Sequence, residues 1–394
     1  MRGVVVKFGG SSVATPQLIG RVADGILTRR RESGHVVAVV SAMGKGTNAL
    51  IELGRQVAPN PDPREMDVLL ATGEQVSIAL LTMALIERGC PSVSLTGWQA
   101  GILTTDAPMA GRIRQLDKGR LTAELEAGKV VVVAGFQGVD EHPNITTLGR
   151  GGSDTTAVAL AATLGWPCEI YTDVEGIYTV DPRLHPGARK IDTLSHEETF
   201  EMSSLGAKVI EPRSVELAAK YGVDLRILLN TMDRPGTRIT SDGQAMEANL
   251  LHKISALDDV LMVSVRVSDN DHVPELFDLL AEAGVNLDVI SQSPAEGDAV
   301  SVVFTAPENS EAAILKVLKQ VNLPYAIKRD TCKLSIVGNA MRTHPGVAAQ
   351  AFKAFHNNHL PFYQVSTSEI SISFIIDKAN KMRGVQMLVD TFGL

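Results

Sequence analysis

Unbroken apolar runs alternate with amphipathic stretches through the first part of this chain. Residues 4–6 are three valines, and residues 36–40 form a second such run. Branched side chains favour pleated strands, and a run without polar alternation suits a strand buried on both faces. Between the two runs, Ile19, Val22, Ala23, Ile26 and Leu27 recur at helical spacing. Thr15-Pro16 opens that helix as cap and first residue, and Gly34 closes it. Strand, helix, strand of this kind predicts a mostly parallel sheet with helical crossovers, an α/β fold. Residues 93–96, 130–134, 169–172 and 224–229 predict further strands, the last of them ending the domain. Residues 64–88 predict one or two helices, interrupted near Gly73. Residues 155–164 predict an Ala-rich helix capped by Ser153 or Asp154, and another helix begins near Pro212.

From Thr231 to Gly243 the chain turns rich in Gly, Pro, Asp and Thr, which predicts a boundary and a first domain over residues 1–240. Beyond it the sequence repeats at about 75 residues, with too few copies for a solenoid. Phe277 matches Phe352, Leu280 matches Phe355, Ile290-Ser291 matches Val365-Ser366, and Ser293 matches Ser368. Alternation at Ile370, Ile372 and Phe374 marks half-buried strands. The expectation is two tandem βαββαβ modules, residues 241–330 and 331–394. Such modules bind small ligands at strand edges or pair with one another, and the period alone does not choose.

At 394 residues and 44% apolar, the chain has material for a sizeable core. A net charge of −8 argues against non-specific nucleic-acid binding, so cations for any phosphate must be concentrated locally. Cys90, Cys168 and Cys332 are scattered, with no CxxC pair and no thiolate zinc site. His196-Glu197-Glu198 lacks the second histidine of a zincin helix. No resident metal site is readable. There is no signal-peptide layout, and the apolar stretch 78–86 is too short to span a bilayer, so a cytoplasmic protein is expected.

The chemistry concentrates at strand ends. The first strand runs into Lys7-Phe8-Gly9-Gly10-Ser11-Ser12. Paired glycines let backbone N–H groups approach an anion, and Lys7 adds a mobile charge. That predicts a phosphate-handling loop; the plainer alternative is a turn with a solvated lysine. The second strand ends in Ser41-Ala42-Met43-Gly44-Lys45-Gly46-Thr47, which belongs beside Lys7 because ligands lie beyond the carboxyl ends of parallel strands. The spacing is not that of a Walker A loop, and no Gly-x-Gly-x-x-Gly follows the first strand. Arg150-Gly151-Gly152-Ser153-Asp154 precedes a helix, whose N-terminus adds free N–H groups and partial positive charge to the arginine fork. Glu74 interrupts an apolar run, either as a solvated glutamate or as the holder of a substrate amine. Residues 173–183 mix carboxylates, Tyr178 and Arg183 in a loop that suits a purine and its phosphates, or an ordinary surface. Lys208 sits just ahead of the helix near Pro212.

Taken together these motifs resemble the aspartokinases of the amino-acid kinase superfamily. Lys7 to Ser12, Ser41 to Gly44, Arg64-Glu65-Met66-Asp67 leading to Gly73-Glu74, Arg150 to Asp154, and Thr172-Asp173 through Asp181-Pro182-Arg183 match in family order. The repeat is similar to that family's two ACT modules, and the absence of a dehydrogenase half points to the monofunctional class. The resemblance implies ATP-dependent phosphorylation of the L-aspartate side chain, entering lysine, threonine and methionine synthesis, with Mg2+ carried by the nucleotide. It implies that Lys7, Gly9, Gly10, Ser11 and Ser41 hold phosphates, with Asp154 orienting Lys7. Thr47, Glu74, Arg150, Gly152 and Ser153 would hold aspartate, Glu74 at its ammonium and Arg150 at its α-carboxylate. Thr172, Asp173, Tyr178, Arg183, Lys208 and Val209 would contact the nucleotide. Effector contacts would be Asp288, Gln292, Met341, Arg342, Thr343, His344, Val347, Thr367 and Glu369. Lysine or threonine is the expected effector. A homo-oligomer through the ACT modules is expected, together with a small ACT subunit if Met246 serves as an internal start.

Three features depart from the family pattern. In the first ACT copy, the loop Ser268 to Val273 lacks the Pro-Gly turn common in the family. Glu211 stands before Pro212-Arg213 where a histidine is common, and Pro361-Phe362-Tyr363 replaces an Asn-Ile-acid run. The rival readings are a relative acting on glutamate, acetylglutamate, carbamate or a nucleoside monophosphate, and a non-catalytic amino-acid sensor. The ACT copies and Glu74 argue against the first. Intact Lys7, Asp154 and Lys208 argue against the second.

Overall fold

The computed structural model describes residues 2–207, 209–231, 234–241, 253–267, 272–294, 299–338, 341 and 346–394. They divide into two compact units. The first spans residues 1–178, 190–204 and 208–248, and the second spans 179–189, 205–207 and 249–394.

The first unit holds strands β1 (Gly3–Phe8), β2 (His35–Val40), β3 (Ser92–Leu95), β4 (Ile102–Thr104), β5 (Ile113–Leu116), β6 (Val130–Ala134), β7 (Gln137–Val139), β8 (Ile145–Thr147), β9 (Cys168–Thr172), β10 (Thr193–Ser195), β11 (Leu225–Leu229) and β12 (Thr237–Thr240). Its helices are α1 (Pro16–Ser33), α2 (Gly46–Val57), α3 (Pro63–Glu87), α4 (Gly119–Glu126), α5 (Gly152–Leu164), α6 (His196–Ser204) and α7 (Pro212–Tyr221). An eight-stranded sheet runs in the order β10-β12-β11-β9-β1-β2-β6-β3. The five strands from β11 to β6 pair in parallel, as the apolar runs predicted. The valines of β1, β2 and β6 are almost wholly buried, because helices cover both faces.

Four local expectations change. Helix α3 is one uninterrupted helix. Gly73 lies inside it because a Cβ there would come within 2.9 Å of the Ala42 Cβ, so close packing, not a break, explains the glycine. Helix α5 starts at Gly152 with Gly151 as its cap, so Ser153 and Asp154 stand in the first turn and not at the cap. β11 is not the last strand. The Gly- and Pro-rich stretch after it carries β12, which returns antiparallel on β11. Finally, four short strands make a second sheet, β5-β4-β7-β8, that no periodicity announced. Helix α3 is long and apolar enough to cross a membrane by length and composition, yet Met66, Leu70, Ile78, Leu81 and Leu85 are buried in this unit.

The second unit holds β13 (Lys253–Val267), α8 (Val273–Glu282), β14 (Ile290–Pro294), β15 (Val300–Pro307), α9 (Glu311–Val321), β16 (Tyr325–Val337), α10 (Val347–Asn357), β17 (Gln364–Thr367), β18 (Ser371–Asp377) and α11 (Lys381–Phe392). The repeat is present, but the modules are not successive blocks 241–330 and 331–394. β13 and β16 are long strands paired along their length, with register shifts between Leu257 and Met262. Beyond the shift, Leu261, Val263 and Val265 pack with Phe304, Leu276 and Ile327. Before it, Ile254 packs with Leu334, Phe374 and Phe355. Each module therefore closes its sheet with half of a strand that begins in the other. The second copy's missing last strand is residues 253–257. Sequence order hides this exchange, because a single continuous strand serves two cores.

Residues 179–189 leave the first unit and join the second. Val180 is fully buried in the core around Phe355, and Ile254 N–H donates to the Thr179 carbonyl at 2.8 Å. Lys253 is buried nearby. Burial lowers its ammonium to about 8, and the Asp181 carboxylate opposes that shift. Because Ile254 closes the second module, Ile254→Ala should cost about 2–5 kcal/mol. Thermal unfolding of the full chain measures this, and an unchanged profile would contradict the strand exchange.

Candidate active site

The parallel register fixes which loops meet. Phe8 pairs with Val40 on one side and Tyr171 on the other. Val40 pairs with Ala134, and Tyr171 with Leu228. The segments that leave these strands, beginning at Gly9, Ser41, Gly135, Thr172 and Asn230, therefore share one carboxyl edge. Gly10 sits so close to the second loop that a Cβ would lie 2.7 Å from the Ala42 carbonyl oxygen and 2.8 Å from that of Gly44. Gly44 N–H in turn donates to the Gly10 carbonyl at 2.9 Å. Only glycine permits this approach.

On this edge lies a cavity of about 200 Å³ lined by Lys7, Ser41, Thr47, Glu74, Phe136 and residues 149–154. Five stretches of sequence converge on it, with Ser41 and Thr47 following β2 and Phe136 following β6. Lys7 comes from the end of β1, Glu74 from the middle of α3, and Arg150 to Asp154 from the mouth of α5. Gly151 has φ +67°, and a Cβ there would collide with the Glu211 side chain. Glycine is thus required at the bend that turns the chain into α5.

The electrostatics are specific. Lys7 Nζ lies 2.7 Å from Asp154 Oδ1, with the side chains only 12% and 11% exposed. The contact is ionic and is not a well-aligned hydrogen bond. Glu74 is buried, and its Oε1 accepts from Ala42 N–H at 2.9 Å. Its Oε2 is buried without a partner. Burial pushes the Glu74 carboxyl up to about 7, and the Ala42 N–H only partly opposes this. A carboxylate in this state lacks a cation. Burial, then the charge of Asp154, also raises the Glu211 carboxyl, against the opposing pull of Arg150 and Arg213.

The other predicted residues fall in several places. Gly9 and Ser11 belong to the loop after β1. Thr172 ends β9 and donates its hydroxyl to Asp173 at 3.1 Å, one residue beyond the pairing with Phe8. Tyr178 bridges to Lys190, with its hydroxyl on Glu175 at 3.3 Å. Val209 is half-buried in a turn. Arg183 belongs to the second unit, bound to Asp181 at 2.6 Å. Lys208 lies outside the described residues, as do Arg342, Thr343, His344 and Met246. In the second unit Asp288 precedes β14 and pairs with the buried Lys333, and Gln292 lies on β14. Met341 and Val347 pack against the second module's core, Thr367 ends β17, and Glu369 follows it.

Sequence reasoning passed over three residues. Phe136 lines the cavity with φ +70°. Arg213 donates to the carbonyls of Leu148 and Gly111 at 3.1 and 3.2 Å. Asp67, quoted only as part of a motif, is fully buried and accepts from Thr147 Oγ1 at 2.5 Å and Met109 N–H at 2.9 Å. A carboxylate inside an apolar helical face was the available signal for Asp67, while Phe136 and Arg213 had none.

A wider cavity of about 560 Å³ lies along α1 and is lined by Arg21, Asp24, Arg29 and Asn230. There Arg29 is bound by Glu169 at 2.9 Å and by Tyr171 at 2.9 Å, and Asp24 by Arg88 at 2.7 Å. The smaller cavity is the one that holds an unpartnered carboxylate oxygen beside an arginine, a lysine and a helix mouth.

Comparison with known proteins agrees with this geometry. The amino acid kinase family profile matches residues 2–228, and an ACT domain profile matches residues 334–392. An aspartokinase of Pseudomonas aeruginosa is 45% identical over 401 residues, covering 99% of this chain and 97% of that one. The crystal structure of Escherichia coli aspartokinase III with aspartate and ADP superposes with a TM-score of 0.87 over 100% of both chains, at 22% identity, a likeness of fold. The aspartate kinase of Synechocystis is 39% identical with a TM-score of 0.56, covering 99% of this chain and 69% of that one. The chain therefore belongs to the amino acid kinase family, and within it to the aspartokinases.

Proposed function

We propose that this aspartokinase uses the Lys7–Arg150 cavity to transfer the γ-phosphoryl group of MgATP to the side-chain carboxylate of L-aspartate, giving 4-phospho-L-aspartate. The observation that carries the reading is the buried, unpartnered Glu74 Oε2, which shares a cavity with Lys7 and Arg150. Aspartate offers an ammonium for Glu74 and an α-carboxylate for Arg150, which leaves its side chain directed at the Lys7 end. Thr47 and Ser153 add hydroxyls, and Gly152 opens the helix mouth.

The attacking carboxylate is already ionised, so no general base is required. The obstacle is repulsion between carboxylate and polyphosphate. At about 4 Å and an effective dielectric near 20, each unit-charge pair is worth roughly 4 kcal/mol before desolvation. Lys7, the N–H groups of Gly9 and Gly10, the Ser41 hydroxyl and the helix mouth at Gly152 supply positive potential where charge spreads over the transferring group. Asp154 holds Lys7 at its post. Thr172, Asp173, Tyr178, Lys208 and Val209 are assigned to the nucleotide, with Mg2+ arriving on it; Arg183, which lies in the second unit, is left out of this set. The ACT unit binds lysine or threonine and biases the chain toward a less active arrangement, which requires unequal affinity for the two arrangements. Association through ACT modules and a cytoplasmic site of action complete the proposal.

Hydroxylamine trapping of the acyl phosphate, with MgATP and a panel of acids, tests the reaction directly. Aspartate should give the hydroxamate; glutamate, acetylglutamate and carbamate should not. Lys7→Ala should remove nearly all turnover, and a tenth of wild-type kcat remaining would refute its role. The KM for aspartate should rise as pH falls below about 7, because protonated Glu74 cannot take an ammonium. The same carboxyl holds its proton to about 7 when folded and to about 4.5 otherwise, so the ligand-free protein loses stability as pH rises through that window. Glu74→Gln should raise that KM and flatten its pH profile; an unchanged profile would count against the assignment. Lysine plus threonine at millimolar concentration should raise the aspartate KM or lower kcat, and identical kinetics would remove the effector proposal.

A further inference from the structure

We infer that Asp67 is a positioning residue that sets the spacing between the two ends of the aspartate clamp. This rests on the reading that Glu74 and Arg150 hold the amino acid. Asp67 and Glu74 lie seven residues apart on α3, about two turns, and so share a face of that helix. Glu74 is the ammonium end. Asp67 reaches the other end indirectly, through the chain that delivers Arg150.

Both oxygens of the Asp67 carboxylate are used. Oδ1 accepts from the Thr147 hydroxyl at 2.5 Å, and Thr147 is the last residue of β8, three before Arg150. Oδ2 accepts from Met109 N–H at 2.9 Å, at a residue with φ +65°. The Met109 carbonyl oxygen lies 3.2 Å from where a Cβ on Gly149 would stand, so this backbone abuts the residue before Arg150. Gly111 N–H donates to the Thr147 carbonyl at 2.8 Å, closing the frame around the same strand end. One buried carboxylate thus joins the helix carrying Glu74 to the two backbone segments that present Gly149 and Arg150. Asp67 does not line the cavity; it acts by holding the guanidinium end at a set distance from the ammonium end.

The Asp67→Asn variant keeps the shape, but its one oxygen goes to Met109 N–H and its amide nitrogen to Thr147, so the charge-assisted bond from the Thr147 hydroxyl gives way to a weaker neutral one of reversed direction. Loss of one such bond predicts an aspartate KM about tenfold higher, while the KM for MgATP stays at its wild-type value. Thr147→Val removes the other half of the contact and should give the same selective rise, and Thr147→Ser, which keeps the hydroxyl, should restore the wild-type KM. The double variant should be no worse than either single one, because both remove one linkage. A further readout isolates Arg150. With the α-amide of aspartate, which lacks the α-carboxylate, Asp67→Asn and wild type should show equal kcat/KM.

Equal rises in both KM values would overturn the proposal, as would multiplicative effects in the double variant or an equal penalty on the α-amide. An aspartate KM within about twofold of wild type in folded Asp67→Asn would also overturn it. If Asp67→Asn does not fold, the two Thr147 variants decide the matter alone. Wild-type protein that makes no hydroxamate from aspartate would instead strike the reading on which the proposal rests.

Discussion

The ion pair between Lys7 and Asp154 is the contact on which the rest of the site depends. It joins the end of the central strand β1 to the first turn of α5, two elements far apart in sequence. Both groups are nearly buried, so each would be costly alone, and their mutual attraction offsets the loss of water. The consequence is geometric. A cation stands fixed at the carboxyl edge of a parallel sheet, beside the mouth of α5. On the proposed function, phosphate arriving there meets a charge already in position, so little reorganisation is needed when charge spreads during transfer.

The amino-acid side of the site obeys a different constraint. The two ends proposed to bind it, Glu74 and Arg150, come from different structural sources, a long core helix and a chain emerging from a small second sheet. Glu74 is held by burial and by a single N–H from Ala42, which leaves one oxygen with an unmet need for a cation. Arg150 stands on a glycine-flanked segment whose position is set by Asp67, Arg213 and the strand β8. The small sheet is therefore part of the site's architecture, because its last strand leads into residues 149–154, which line the cavity.

The second unit illustrates how one chain segment can serve two cores. β13 and β16 each cross from one module to the other, so neither module has a complete sheet without its neighbour. The segment 179–189 is continuous with Tyr178, yet it packs in the core around Phe355. The chemistry of the two copies also differs. Asp288 in the first is held by Lys333, whereas the second copy presents Phe362 and Tyr363, with the Tyr363 hydroxyl on Asp377 at 2.5 Å.

By itself the sequence determined the parallel sheet, the glycine loops and the residues at their tips. These are local properties: valine runs demand burial, glycines permit close backbone approach, and strand-then-glycine order puts side chains at strand ends. It also determined the repeat, because matching residues recur at a constant interval. It could not reveal that Gly73 lies within a helix, since a glycine that breaks a helix and one that packs against Ala42 look alike in one dimension. Nor could it show that Asp67 ties α3 to the strand before Arg150, or that residues 253–257 complete the second module. Only the tertiary structure decided those points. Each depends on contacts between residues far apart in the chain, and local periodicity carries no information about which distant partner fills a buried hydrogen bond or closes a sheet.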